Sequence, residues 1–426
     1  MRTPSAPNAT QKIAARKPGW ADLETNQKMY TVAELFCGGL TADEVLKRLQ
    51  REFRGTITRV EPYRLLREAA LRGWLRLEPS REDRFSRDLE AHYPFLRSSG
   101  AAGECPRVSA TWSPLADGVG VGEATADVIL RLLIQKAAEK TEATNQSRQD
   151  VAIHLGFAGG KTMAVTAAKL KKRLEQPNPL LPGKIVFHSL MPGFAVAKPY
   201  LSPTAFLANF SPSGAEPLHY KCEFVDFEAP PFVPIAKRQS PKSGKLLSTE
   251  LDHESQAPTF EQLKNLPTIK DAFQERDKID IIVTSAGEWG DPHSLLKGVV
   301  EFFARDPSVM PRLAAKYTFV GDLLWLPLLK LKGAATGEFC EADPGDMPWR
   351  PMCLFDLAEL SRKIKENAYV VLAVGNCQAC GGSKETVLLE ILEASQKHSE
   401  GRLLTHLVCN LENLIKVIRK KEELRP

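Results

Sequence analysis

Apolar positions recur with helical spacing at the start of the chain and give way to short apolar runs farther along. In residues 24–37, Met29, Val32, Ala33 and Phe36 follow the i, i+3, i+4, i+7 rule of one helix face. Gly38 and Gly39 end that helix, since glycine accepts the left-handed turn that closes a helix. Thr41 and Glu44 then make a capping box, the hydroxyl accepting from one amide and the carboxylate from the other. Asp43 and Glu44 suit the positive start of a second helix over 42–50, and Lys47 and Arg48 suit its end. Val45, Leu46 and Leu49 form its inward face.

A third helix is predicted from Pro62, a residue favoured in a first helical turn, to Gly73. Leu65, Leu66, Ala69 and Ala70 line its apolar face. Tyr63, Arg64 and Arg67 cluster elsewhere on it, because residues three and four apart are neighbours. Residues 74–77 (Trp-Leu-Arg-Leu) alternate with period 2, as a short wing strand would. Three helices with an Arg- and Tyr-bearing third describe a helix-turn-helix module whose third helix reads the major groove. The departure is the ten-residue connection over 51–60, where such a module has a turn of about 3–4 residues. Arg51, Arg54 and Arg59 lie in it, within reach of phosphates.

From residue 151 short apolar runs alternate with helical periods, the pattern of a parallel α/β sheet. Strands are predicted at 151–157, 184–190, 279–285, 369–374 and 403–409. Helices are predicted near 124–140, 162–175, 260–276, 294–305, 357–366, 384–397 and 411–421. Glycine, serine and proline punctuate the rest. The resulting division is a mobile tail at 1–22, a helical domain at 23–98, a linker at 99–122 and an α/β domain at 123–426. The last carries an exposed inserted loop at 236–258.

Composition narrows the classes. The 426 residues are 43% hydrophobic and 26% charged, which supports a buried core rather than disorder. No apolar run approaches the roughly 20 residues of a membrane span, and the start lacks a signal-peptide stretch; a cytoplasmic protein is expected. The first hundred residues hold 18 Lys/Arg against 13 Asp/Glu, so they carry the whole formal excess of +5. A basic end on a neutral body is what a phosphate-backbone contact requires.

Three glycine turns follow predicted strands, where open α/β sheets hold ligands against helix N-termini. The first spans Gly156 to Thr162, with Gly160, Lys161 and Thr162 offering amides, an ammonium and a hydroxyl. It is one residue out of register with a phosphate-binding Walker loop, because position 155 is Leu. The second runs from Ser285 through Gly287 to Asp291 and Pro292. The third continues from Gly375 through Gly382 to Lys384. Two of the three carry a lysine, which favours a phosphorylated ligand over a neutral one.

No nucleophile–base order or close carboxylate pair stands out, so no catalytic residues are assigned. Glu288, Asp291, His293 and Asp322 are the available proton-transfer groups. The eight cysteines fit reduced thiols. Only Cys377 and Cys380 have ligand-like spacing, and a tetrahedral site wants a second close pair that the neighbouring sequence does not supply. They read as an incidental loop, and no metal or cofactor is expected.

The order of these features resembles the SorC/DeoR-type sugar-binding transcriptional regulators. Residues 32–45 are similar to the family's helix-turn-helix entry. Gly156, Gly160 and Thr162 match its first ligand turn, with Ala158 where serine is usual and Lys161 in place of arginine. Asp291-Pro-His-Ser resembles its Asp-Pro-x-Ser, Gly321-Asp322 its Gly-Asp, and Gly381 to Lys384 its Gly-Gly-x-x-Lys turn, displaced by an insertion holding Cys377 and Cys380.

The resemblance implies a winged helix-turn-helix domain followed by a Rossmann-like parallel sheet of the phosphosugar isomerase/CoA-transferase-like type. It implies a non-enzymatic dimer or tetramer that binds a DNA operator, controlled by a phosphorylated sugar, with no membrane partner. Ligand residues would be Gly156, Gly160, Lys161, Thr162, Gly287, Asp291, Asp322, Gly382 and Lys384; DNA residues would be Arg59, Tyr63, Arg64 and Arg67. The alternative is a phosphosugar isomerase or aminohydrolase-like enzyme with an appended helical domain.

Overall fold

The computed structural model describes residues 19–37, 40–71, 83–98, 104–111, 119–176, 178–192, 201–210, 220–226, 228–234, 259–303, 309–343, 346–347, 349–397 and 401–423. The chain forms two units, Met1–Glu78 and Pro79–Pro426.

In the first unit three helices, α1 (Thr25–Cys37), α2 (Ala42–Glu52) and α3 (Val60–Leu71), close on one small core. Met29 and Val32, Val45 and Leu49, and Leu65 and Ala69 meet there with Ile57. Of the predicted capping box, the Glu44 carboxylate accepts from the Thr41 amide at 2.8 Å, while the Thr41 hydroxyl donates to that same carboxylate at 2.7 Å. Gly19 and Trp20, assigned to a tail, are packed instead. Trp20 is buried, donates its backbone amide to the carbonyl of Arg54 and donates from its indole to Glu61 at 3.0 Å.

The connection between α2 and α3 is shorter than predicted, because α2 runs to Glu52 and α3 starts at Val60. Ile57 anchors it in the core and its carbonyl accepts from Gln50, so the connection is a packed turn. The tail at 1–18 and the wing at 74–77 lie outside the described residues, as does the end of the third helix.

The second unit holds seven strands in the order β1 (Val108–Thr111), β11 (His406–Asn410), β10 (Tyr369–Val374), β6 (Ile281–Glu288), β2 (Ala152–Phe157), β3 (Lys184–Ser189) and β4 (Lys221–Val225), all pairing parallel. β5 (Phe232–Pro234) and β9 (Trp349–Pro351) make a separate antiparallel pair. The inner parallel strands β3, β10 and β11 are buried on both faces, which is why they read as continuous apolar runs. Helices α5 (Val119–Thr144) and α6 (Lys161–Leu174) pack on each other, and the helix Glu385–Lys397 packs on the helix Leu411–Glu423. Right-handed crossovers put these two pairs on opposite faces.

Chain direction across the sheet reverses between β2 and β6. That reversal opens a crevice beyond the carboxyl ends of these two strands, where α/β sheets hold ligands. β6 is longer than its neighbours. Its first residues pair with β10, while Ala286, Gly287 and Glu288 reach past the sheet and pair antiparallel with β7 (Tyr317–Leu323), which turns back into β8 (Leu326–Leu331).

The predicted division needs correction at the start of this unit. The boundary falls after Glu78, and the helix α4 (Asp83–His92), placed in the helical domain by sequence, packs on β1 and on the helix Leu411–Glu423. Within the predicted linker, Val108–Thr111 form the edge strand β1, all four buried, and α5 begins at Val119. Residues 99–103 and 112–118, and the inserted loop at 236–258, lie outside the described residues. No described helix is long and apolar enough to cross a membrane.

Candidate functional site

The β2–α6 turn and Lys384 reach the end of β6 from its two sides. A side-chain carbon built on Gly160 would lie 3.8 Å from the Ser285 hydroxyl. The Lys384 ammonium donates to the carbonyl of Ala286, the next residue, at 2.7 Å. The fold therefore brings the first and third glycine turns to the start of the second, at one rim of the sheet.

Gly160 sits at φ 111°, ψ 169°, just before α6, a conformation that only glycine takes without strain. Its amide donates to Leu201, that of Gly159 to the Met191 sulfur and that of Ala158 to Val283. These three amides are thus engaged within the protein, contrary to the predicted glycine cradle. The first-turn amides at Lys161, Thr162 and Met163 lack an intrahelical acceptor by geometry, since the first helical bond runs from Ala164 to Gly160. Thr162 is buried and Lys161 half-buried. Gly156 is not part of the turn. It lies inside β2, where a side chain would meet Leu190 at 2.5 Å, so its lack of one serves packing.

Lys384 caps the helix Glu385–Lys397 and is placed by a chain of asparagines that sequence reasoning missed. Its amide donates to the Asn413 side chain at 2.8 Å; Asn413 donates to Asn410, Asn410 to Asn376, and Asn376 to Glu412. Burial lowers the Lys384 ammonium below the usual lysine range, and the Asp322 carboxylate partly offsets this. Asp322 is itself buried; burial pushes its carboxyl up to about 6, against Lys384 and a hydrogen bond from the Trp325 amide.

Gly287 makes room for that carboxylate: a side-chain carbon there would lie 2.1 Å from Asp322 Oδ2. Gly287 and Asp322 therefore shape the rim and steady Lys384; Asp322 is walled in by the β6–β7 crossing, and Gly287 is half-buried. Glu288 accepts from the Val387 amide at 3.0 Å, and burial raises its carboxyl.

Two predicted ligand groups join a different cluster. Asp291 Oδ1 accepts from the His293 amide at 2.8 Å and lies 3.3 Å from His293 Nδ1 and 3.7 Å from the Cys380 sulfur. The Cys377 sulfur is 3.7 Å from His293 Nδ1. Gly382, predicted to line a ligand turn, accepts from the Cys377 amide and closes the cysteine turn. The reading of Cys377 and Cys380 as an incidental loop missed this because the partners come from a segment more than eighty residues earlier in the chain.

A polar cavity of about 750 Å³ opens among residues of the opposite, amino-terminal rim, including Arg107, Lys136, Lys140, Tyr369 and His406. It contains none of the predicted ligand residues. Lys136 is paired with Glu139 at 2.9 Å and Lys140 with Asp280 at 2.6 Å, so these two lysines are taken up by the fold.

In the first unit, Tyr63, Arg64 and Arg67 lie exposed on α3 in line with exposed Val60, and none has a partner among the described residues. Arg59, ahead of α3, is 3.4 Å from Asp43 with both side chains largely exposed, a weak pairing.

No family model matches the chain, and no curated protein matches it. Solved structures do. One is the full-length sorbitol operon regulator SorC from Klebsiella pneumoniae, 13% identical, covering 92% of this chain and 98% of its own, at a TM-score of 0.48. A DeoR family transcriptional regulator from Listeria monocytogenes is 13% identical, over 78% of this chain and 98% of its own, at 0.44. The chain is similar to SorC/DeoR regulators. A transcriptional regulator from Streptococcus pneumoniae also matches, 12% identical over 80% of this chain and 97% of its own, at 0.47.

Proposed function

We propose that this chain is a DNA-binding transcriptional regulator of carbohydrate metabolism, and that a phosphorylated sugar bound at the carboxyl rim of its parallel sheet controls its DNA affinity. The observation that carries this reading is the meeting of the α6 start and Lys384 on the end of β6, at the topological switch point. First-turn amides and Lys161 suit a phosphate through the helix dipole and charge-assisted hydrogen bonds. Lys384 supplies a second cation, and Ser285 and Glu288 suit sugar hydroxyls. Thr162 adds a hydroxyl. Gly287 and Asp322 act behind these groups, by shaping the rim and steadying Lys384.

In the other unit, Tyr63, Arg64 and Arg67 form the DNA-facing stripe of α3, with Arg59 on the adjoining phosphates. The operator contact is made by a dimer or tetramer, because two copies of a helix-turn-helix read two half-sites about one helical turn apart. Switching requires that the sugar bind the DNA-competent and DNA-incompetent arrangements with different affinity. A panel of sugar phosphates tests the ligand half of the proposal. A true ligand raises the melting temperature by mass action, and the proposal fails if none does.

One observation favours the enzyme alternative: a buried carboxyl raised to about 6 beside a lysine is a suitable proton-transfer pair. Turnover of a sugar phosphate that is abolished in Asp322→Asn supports that reading instead.

A further inference from the structure

The four side chains gathered beyond β6 and β10 have the chemistry and spacing of a metal site. Because β6 and β10 are adjacent and parallel, the segments leaving their carboxyl ends are neighbours. After β6 the chain turns tightly, Asp291 donating to the carbonyl of Glu288 and Ser294 to that of Asp291. The Asp291 carboxylate also holds the His293 amide. After β10 the segment from Cys377 to Gly382 closes on itself: Gly381 donates to the carbonyl of Cys377, and Cys377 donates to that of Gly382, both at 2.8 Å.

Gly381 takes φ 72° to make this closure. The amides of Ala379 and Cys380 lie beside the Cys377 sulfur as hydrogen-bond donors to it. Such donors orient a metal-binding thiolate in the way that outer-shell groups fix other ligands.

One donor atom from each of Asp291, His293, Cys377 and Cys380 lies within 4.8 Å of all the others. The individual separations are 3.3 Å from Asp291 Oδ1 to His293 Nδ1, 3.7 Å from His293 Nδ1 to the Cys377 sulfur, and 3.7 Å from Asp291 Oδ1 to the Cys380 sulfur. Bonds of about 2.0–2.3 Å at tetrahedral angles around one ion place ligand atoms about 3.3–3.8 Å apart. Three of the six separations thus already match the edges of such a tetrahedron, and the other three lie within 4.8 Å.

We propose that Asp291, His293, Cys377 and Cys380 bind one zinc ion. Two thiolates and an imidazole select a borderline-soft ion over magnesium or calcium, and four protein ligands close the coordination sphere, as in a structural site. The ion ties the loop after β6 to the loop after β10, and so clips together the two segments that flank Lys384. The proposal goes beyond the regulatory reading and stands without it, since neither DNA nor a sugar enters its test.

The test uses the full chain, reduced and freed of metal, titrated first with zinc and separately with cobalt(II). The expected result is one zinc per chain, with cobalt giving the visible spectrum of a tetrahedral ion and thiolate charge-transfer absorption. Circular dichroism confirms that each variant folds. Cys377→Ser with Cys380→Ser should reduce zinc to background and remove the charge-transfer band. His293→Gln and Asp291→Asn should each weaken zinc binding by at least the about 10–100-fold that outer-shell changes cost. A reduced wild-type chain that takes up no zinc, cobalt bound without thiolate absorption, or zinc retained by the double-serine variant would each overturn the proposal. The cobalt spectrum is read on the wild-type chain and so does not depend on any variant folding.

Discussion

The Lys384 ammonium lies 2.7 Å from the carbonyl of Ala286, at the point where β6 leaves the parallel sheet to pair with β7. This bond fixes a cation at the rim facing the start of α6. Replacing Lys384 by Met keeps the length of the side chain and removes its charge. In the proposed account this variant stays folded, and the rise in melting temperature produced by a sugar phosphate disappears. A thermal shift undiminished in Lys384→Met would show that the phosphate sits elsewhere.

The close crossing of β6 and β7 depends on glycine. A side-chain carbon at Gly321 would lie 2.0 Å from the backbone oxygen of Gly287, which cannot move without breaking the strand pairing. Gly321→Ala should cost about 1–3 kcal/mol or more in urea unfolding, as other overpacked substitutions do. Gly290, two residues beyond the same strand, has nothing within 4 Å of such a carbon. Gly290→Ala should therefore stay within about 0.5 kcal/mol of wild type.

Asp322 gives the fold a pH dependence of definite sign. Its carboxyl is raised from 3.8 to about 6 by burial, so the folded chain holds that proton more tightly than the unfolded one. The associated stability is fully present below about pH 4 and is lost as pH rises through 6. Asp322→Asn removes this titration. Comparing urea unfolding of the two proteins across that window should show wild type losing up to about 3 kcal/mol relative to the variant as pH rises. A constant difference would place Asp322 in a more polar setting.

On α3, Arg64 and Arg67 should act through phosphates. Replacing either by Ala should weaken DNA binding across sequences and lower the slope of log affinity against log salt by about 1. Fluorescence anisotropy with a duplex from upstream of the gene reads both quantities. If both variants bind like wild type, the exposed stripe on α3 serves another partner.

Much of the parallel sheet was legible because its strands are buried on both faces. The β10 run is apolar from end to end, and its predicted limits, 369–374, match the strand. β4, at the sheet edge, has mostly exposed or half-buried residues and gave no such run. β1 is four residues long, with Ser109 and Thr111 among them, too short and too polar to stand out from the linker around it. The α2–α3 connection looked too long because helical periodicity says little about where α2 frays and where α3 begins; Ile57, the residue that packs it, is a single apolar position.

The sites divide in the same way. Gly160 and Lys384 stand out in the sequence because glycine and lysine at strand ends carry local meaning. The partnership of Gly287 with Asp322 follows from β6–β7 register, and that of His293 with Cys377 from β6–β10 adjacency. Neither can be read from spacing along the chain. The engagement of the Gly159 and Gly160 amides was also invisible, since their acceptors Met191 and Leu201 come from other loops.

The central claim joins the two units through one ligand, and DNA affinity measured with and without that ligand tests it most directly. A sugar phosphate that raises the melting temperature should change the affinity for the upstream duplex by about 5–150-fold, the usual range of coupling between sites. Lys384→Met should abolish the change and keep the ligand-free affinity. If every sugar phosphate that binds leaves the DNA affinity of the wild-type chain unaltered, the account is contradicted.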